Sequence, residues 1–110
     1  MDIKQLSTRA LEIREQYSLL EKKKYGKSWT STQIMEGMVG DVGDLMKLVM
    51  AKDGVRDIAD VDKKLAHELS DCLWCILVLA QKYDVDIEKT FLDTMDTLEE
   101  RIKKENNVTF

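Results

Sequence analysis

Apolar side chains recur at Ile3, Leu6, Ala10, Ile13, Tyr17 and Leu20, in alternating steps of three and four. That is the one-sided stripe of an amphipathic helix. Lys22, Lys23 and Lys24 then suit a helix C-terminus, where the dipole favours cations, and Gly26 supplies a stop. Thr30 and Gln33 have the spacing of a capping box, which predicts a second helix from there to about Ala51. Its stripe is Ile34, Met38, Val42, Leu45 and Val49. Gly37, Gly40 and Gly43 fall inside it, each costing about 1 kcal/mol relative to alanine. The flanking periodicity favours a continuous helix over a loop at Gly40–Asp44, and three glycines on nearly one face imply close approach by another helix or a ligand.

Lys52 to Ala59 is polar and reads as a loop. Asp60 is placed to cap a third helix running to Tyr83, whose middle, Cys72 to Ala80, is apolar on all sides. Such a helix sits centrally among partners. Asp86 suits the N-cap of a fourth helix, with Phe91, Met95, Leu98 and Ile102 on its apolar face. Lys103 to Phe110 reads as a frayed end. The fold class is therefore all-α, four helices in one compact bundle: a single domain over residues 1–104 and a flexible tail over 105–110. A central helix this apolar in so small a chain implies that a second copy covers it, as a homodimer or a dimer of dimers.

Composition narrows the function. The chain has 110 residues, no proline and five glycines, which disfavours a turn-rich β-fold. The balance of 17 basic to 21 acidic residues, net −4, offers no basic footprint for a nucleic-acid polymer. The nine-residue apolar run is about half a membrane span, and the N-terminus has no secretory pattern, so a cytoplasmic protein is expected.

Two acidic pairs stand apart from the general charge. Asp41 and Asp44 are three apart on the second helix, Glu68 and Asp71 three apart on the third. Each pair thus shares one helical face and borders apolar sequence. If the faces converge, four carboxylates occupy a small volume, and their repulsion raises proton affinity or demands a cation. A hard ion such as Mg²⁺, bound by oxygens and still able to hold water and phosphate, answers that demand. With 21 acidic residues, such pairs also arise on a merely solvated face. His67 is adjacent to Glu68 and so is placed elsewhere on the helix, in a structural or exposed role.

At these residues the chain resembles the MazG-like all-α nucleoside triphosphate pyrophosphohydrolases, a superfamily that includes dimeric dUTPases and dCTP pyrophosphatases. Val39-Gly40-Asp41-Val42-Gly43-Asp44-Leu45 and His67-Glu68-Leu69-Ser70-Asp71-Cys72-Leu73 are similar to the family's two acidic half-motifs, and Lys82-Tyr83-Asp84-Val85-Asp86-Ile87 to its turn into the last helix. The likeness runs from about Trp29 to Arg101. It implies a hydrolase that converts a nucleoside triphosphate and water to the monophosphate and pyrophosphate, with a house-cleaning role against non-canonical nucleotides. It assigns Asp41, Asp44, Glu68 and Asp71 to the metal and to catalysis, with Mg²⁺ as cofactor and Mn²⁺ able to replace it. Two differences stand out. Both first-motif glutamates are aspartates here, and Thr94 and Leu98 occupy positions where relatives often carry Lys and Asn. The alternative is a non-catalytic helical dimer that binds nucleotide or a protein partner.

Four further residues are candidate substrate contacts. Trp29, just before the second helix, either stacks on a base or acts as a hydrophobic staple. Lys47, three after Asp44, and Lys64, four before Glu68, each either meet a phosphate oxygen or serve as a surface i,i+3 or i,i+4 partner, the latter favoured for Lys64. Cys75 falls on the acidic face and would line the pocket, and Arg101 would reach substrate from the last helix or lie solvated. Cys72-x-x-Cys75 is mid-helix with no second pair, so packing is expected over redox or zinc chemistry.

Overall fold

The computed structural model describes residues 2–106. Four helices follow one another: α1 (Ile3–Tyr25), α2 (Ser31–Lys52), α3 (Val61–Lys82) and α4 (Ile87–Asn106), with no strand among the described residues. The all-α expectation holds.

Local chemistry sets most boundaries. Asp2 and Gln5 form a capping box at α1, and Gly26 ends that helix at φ 81°, donating its N–H to Lys22 O over 2.9 Å. Thr30 and Gln33 make the expected capping box at α2. Asp86 Oδ1 accepts from Lys89 N–H at 3.1 Å, as an N-cap should. Asp60 differs from expectation. Its backbone is left-handed (φ 54°) and its carboxylate caps nothing, because that conformation turns the side chain away from the first-turn N–H groups. α4 is helical to Asn106, so the first residues of the expected tail lie in that helix, and residues 107–110 lie outside the described residues.

The core is Ala10, Ile34, Cys75, Leu77 and Val78, with Ile3, Met38, Trp74, Leu79 and Ile87 packed around it. α3 is central: α2 packs along it and α1 crosses it, whereas α4 touches little of the chain. The four expected helices are present, and the chain is extended for its length. Its radius of gyration is 17.7 Å, against about 13 Å for a compact chain of this length. Leu69, Leu73 and Ile76 on α3 remain exposed, as do Phe91, Leu92 and Met95 on α4.

Continuity of α2 through its three glycines is as expected, but the implied close approach is not found within the chain. A Cβ on Gly37 would sit 3.9 Å from Trp29 Cζ3, while Gly40 and Gly43 face open space.

Candidate functional site: an acidic cluster between two cavities

Packing of α2 on α3 brings Asp41 and Asp44 against Glu68. One carboxylate oxygen from each lies within 4.8 Å of the others. Asp41 and Glu68 are half-buried and Asp44 is exposed. Glu68 Oε2 is buried without a hydrogen-bond partner. A buried carboxylate oxygen with no donor is costly, so the cluster is incomplete in the protein alone. Burial chiefly, and then the charges of Asp71 and Asp44, push the Asp41 carboxyl above its ordinary range. Burial, followed by Asp41, Asp71 and Asp44, does the same to Glu68. Three hard oxygen donors at this spacing, one of them orphaned, fit a divalent cation.

Asp71 stands slightly apart from this triad. Its Oδ2 lies 3.1 Å from His67 Nε2, one turn back on α3. His67 is exposed, as expected, but not placed away from the acids: its Nε2 faces Asp71, and only a protonated imidazole there would oppose the upward shift at Asp41 and Glu68. The i,i+4 spacing of His67 and Asp71 was the available signal.

The cluster separates two cavities of opposite character. Asp41 and Asp71 edge one of about 720 Å³, walled mainly by Tyr17, Trp29, Trp74 and Ile34, with Cys75 at its lining. Asp44 and Glu68 edge the other, of about 520 Å³, where Lys47, Lys63, Lys64 and His67 gather. None of those three lysines has an ion-pair partner among the described residues, although carboxylates line the same cavity. Of the candidate substrate contacts, Trp29 and Cys75 thus share the aromatic cavity and Lys47 the cationic one. Arg101 is exposed on α4 and lines neither.

The cysteines are free and buried. Burial, then the charges of Asp41 and its neighbours, raises both thiols above their ordinary value, opposite to what a reactive or zinc-bound pair requires.

Residues 29–105, more than half of the chain, match the family model described as the MazG nucleotide pyrophosphohydrolase domain. The chain belongs to the MazG family. No curated protein and no solved structure matched in the other two comparisons. The MazG match spans α2, α3 and nearly all of α4, hence the whole acidic cluster, and leaves α1 outside. Sequence patterning missed two contributions from that helix and its surroundings. Tyr17 on α1 joins the aromatic wall, its ring centroid 6.1 Å from that of Trp74. Arg14 and Glu21, also on α1, form a buried ion pair beside Trp29. Their seven-residue separation, two turns of one face, was legible. Among the described residues no helix is long and apolar enough to cross a membrane.

Proposed function

We propose that this MazG-family chain hydrolyses nucleoside triphosphates to the monophosphate and pyrophosphate with Mg²⁺, Mn²⁺ being able to replace it, and that it works in the cytoplasm on unwanted or non-canonical nucleotides. One observation carries the reading: three converging carboxylates lie between an aromatic cavity and a lysine-lined one. A nucleoside triphosphate has the same polarity, with a flat apolar base at one end and an anionic tail at the other. The base would lie among Tyr17, Trp29 and Trp74, the α-phosphate at the acids, and the β- and γ-phosphates toward Lys47, Lys63 and Lys64.

Asp41, Asp44 and Glu68 would hold the cation, with Asp71 joining on release from His67. The ion would neutralise phosphate charge and acidify a bound water. Water adds to the α-phosphorus, the bond from that phosphorus to the bridging oxygen breaks, and pyrophosphate leaves toward the lysines. The proton lost by the water passes to a carboxylate of the cluster that is not engaged by the ion, acting as general base.

The working unit in this reading is a homodimer or dimer of dimers. The chain exposes 8480 Å² at 12.7 kDa, whereas a compact monomer of that mass exposes about 6,200 Å². The excess, roughly 2,000 Å² per chain, is of the size an obligate interface buries. It is also apolar, and Val39, Val42 and Met46 on α2 continue the uncovered faces of α3 and α4.

Pyrophosphate release from a panel of canonical and modified nucleoside triphosphates, with and without Mg²⁺ or Mn²⁺, tests the reading. Turnover should require the cation and vanish in Asp71→Asn with helicity retained. No turnover with any of the panel would remove the enzyme and leave the non-catalytic helical dimer.

A further inference from the structure

The Arg14–Glu21 pair does more than join two turns of α1. Arg14 Nη1 donates to Glu21 Oε2 at 2.9 Å and Nη2 to Oε1 at 2.6 Å, with both side chains 8% exposed. Glu21 Oε1 also accepts the backbone N–H of Trp29 at 2.6 Å, and Arg14 Nη2 reaches Trp29 O at 3.5 Å. The pair therefore holds both backbone polar groups of one residue in the irregular segment between α1 and α2. The indole of that residue lies beside Gly37 and walls the aromatic cavity.

Several polar groups of the rest of the wall are already engaged within the protein. Trp74 Nε1 donates to Ala10 O at 3.1 Å, and Ser70 Oγ donates to Ala66 O at 2.9 Å. Arg14 and Glu21 satisfy each other. What remains is aromatic surface, which any base can stack on, together with Lys24 and the cluster acids Asp41 and Asp71. A buried ion pair is a weak source of stability, and an apolar pair of similar volume often serves the fold as well or better. A role in placing Trp29 explains this pair where stability does not.

The geometry points to the Arg14–Glu21 pair as a positioning device that clasps Trp29 as one wall of a stacking cleft, so that α1, outside the family match, sets affinity for the nucleotide base through stacking and shape. The affinity effect rests on the function proposed above, which supplies the nucleotide; the hydrogen bonds of the clasp do not. Without it, the ligand must order the loop and the indole on binding, which weakens affinity by roughly three- to tenfold per immobilised side chain. The phosphate side of the site is untouched by this.

Calorimetric titration of the full chain tests the clasp, using α,β-methylene analogues of ATP and CTP and, separately, inorganic pyrophosphate, all with Mg²⁺. Glu21→Gln and the apolar double variant Arg14→Met/Glu21→Leu should each bind the nucleotides roughly three- to tenfold more weakly. Pyrophosphate binding should stay within twofold, and the double variant should melt no lower than the parent. Trp29→Ala should lose as much, and adding it to the double variant should cost nothing more, since both remove one wall. Nucleotide affinity unchanged in the double variant overturns the clasp. So does a parallel loss of pyrophosphate binding that tracks a lowered melting temperature, or no binding of either analogue to the parent. Turnover of natural triphosphates by the parent reports separately on the activity: selective loss of base affinity without turnover sinks only the enzyme reading.

Discussion

Glu68→Gln should stabilise the protein without metal and abolish its stabilisation by metal. Glu68 is one of three carboxylates whose oxygens lie within 4.8 Å of one another. At that separation two unit charges repel by about 0.9 kcal/mol in water and about 3.5 kcal/mol at an effective dielectric constant near 20. Asp44 is exposed, so its share belongs near the lower figure. The glutamine amide gains a donor for Asp41, whereas Glu68 Oε2 has no partner now. A net gain of about 1–2 kcal/mol follows, or roughly 4–10 °C in melting temperature for a domain of this size. The wild type should instead gain from Mg²⁺, by about 2.7 kcal/mol at a hundred times its dissociation constant, and the variant should gain nothing. Circular-dichroism melts at fixed protomer concentration, in chelator and in Mg²⁺, should therefore reverse in order.

The pH dependence of that advantage has a definite sign. The carboxyls of Asp41 and Glu68 are raised above ordinary values of 3.8 and 4.5. On raising the pH, the unfolded chain releases these protons first, so metal-free wild type loses stability from about those values upward, until the folded groups have also ionised. The advantage of Glu68→Gln should thus grow as the pH rises through the raised Glu68 value and shrink as it falls toward the ordinary value of 4.5, where Glu68 carries its own proton. A variant less stable than wild type in chelator at neutral pH, or one with an undiminished Mg²⁺ shift, refutes the shared ionic centre.

Gly40→Ala should raise stability by about 1 kcal/mol, read as a higher denaturation midpoint, because its Cβ meets nothing within 4 Å and helix propensity improves; a lower midpoint would show another chain packed there. Phe91→Glu should shift the light-scattering mass toward the monomer, since Phe91 is 57% exposed on a helix with few partners in its own chain. Lys63→Ala/Lys64→Ala should weaken pyrophosphate binding by about tenfold and flatten its salt dependence, as two unpaired cations leave the phosphate side. Cys72 and Cys75 should alkylate at least about tenfold more slowly in the native protein at pH 8 than in denaturant, because both are buried and their thiolates are disfavoured.

What the sequence disclosed follows from which interactions are local. The capping boxes, the Gly26 stop and the α2 and α3 spans depend on neighbours within a turn, and they were legible. Meeting of Asp41, Asp44 and Glu68 was foreseeable only as a consequence of α2 packing on α3, for which the acidic spacing and the family resemblance gave the hint. On α1 the pattern misled by a fraction of a turn. Of the apolar stripe Ile3, Leu6, Ala10, Ile13, Tyr17 and Leu20, Ala10 lies in the core and Ile3 packs against it, yet the buried line continues through Ser7, Arg14 and Glu21. Hydrophobic periodicity cannot find such a face, because its polar members are buried only by pairing with each other and with the Trp29 backbone.

The same two helices that form the acidic cluster also carry the uncovered apolar surface, and this ties site to assembly. Repulsion among Asp41, Asp44 and Glu68 works against the α2–α3 seam, which Ile34, Met38 and Val78 hold from within. α1 reaches only α3 in strength, and α4 gives little support. Local conflict of this kind, carboxylates forced together beside an apolar seam, is expected at functional sites. A cation relieves the seam from one side. A second copy laid over Val42, Leu73 and Phe91 would clamp it from the other. Both act on the folded chain and not on the unfolded one, so protomer concentration and Mg²⁺ should each raise the melting temperature, and each should matter more once the other is saturating if both close the same opening of α2 from α3.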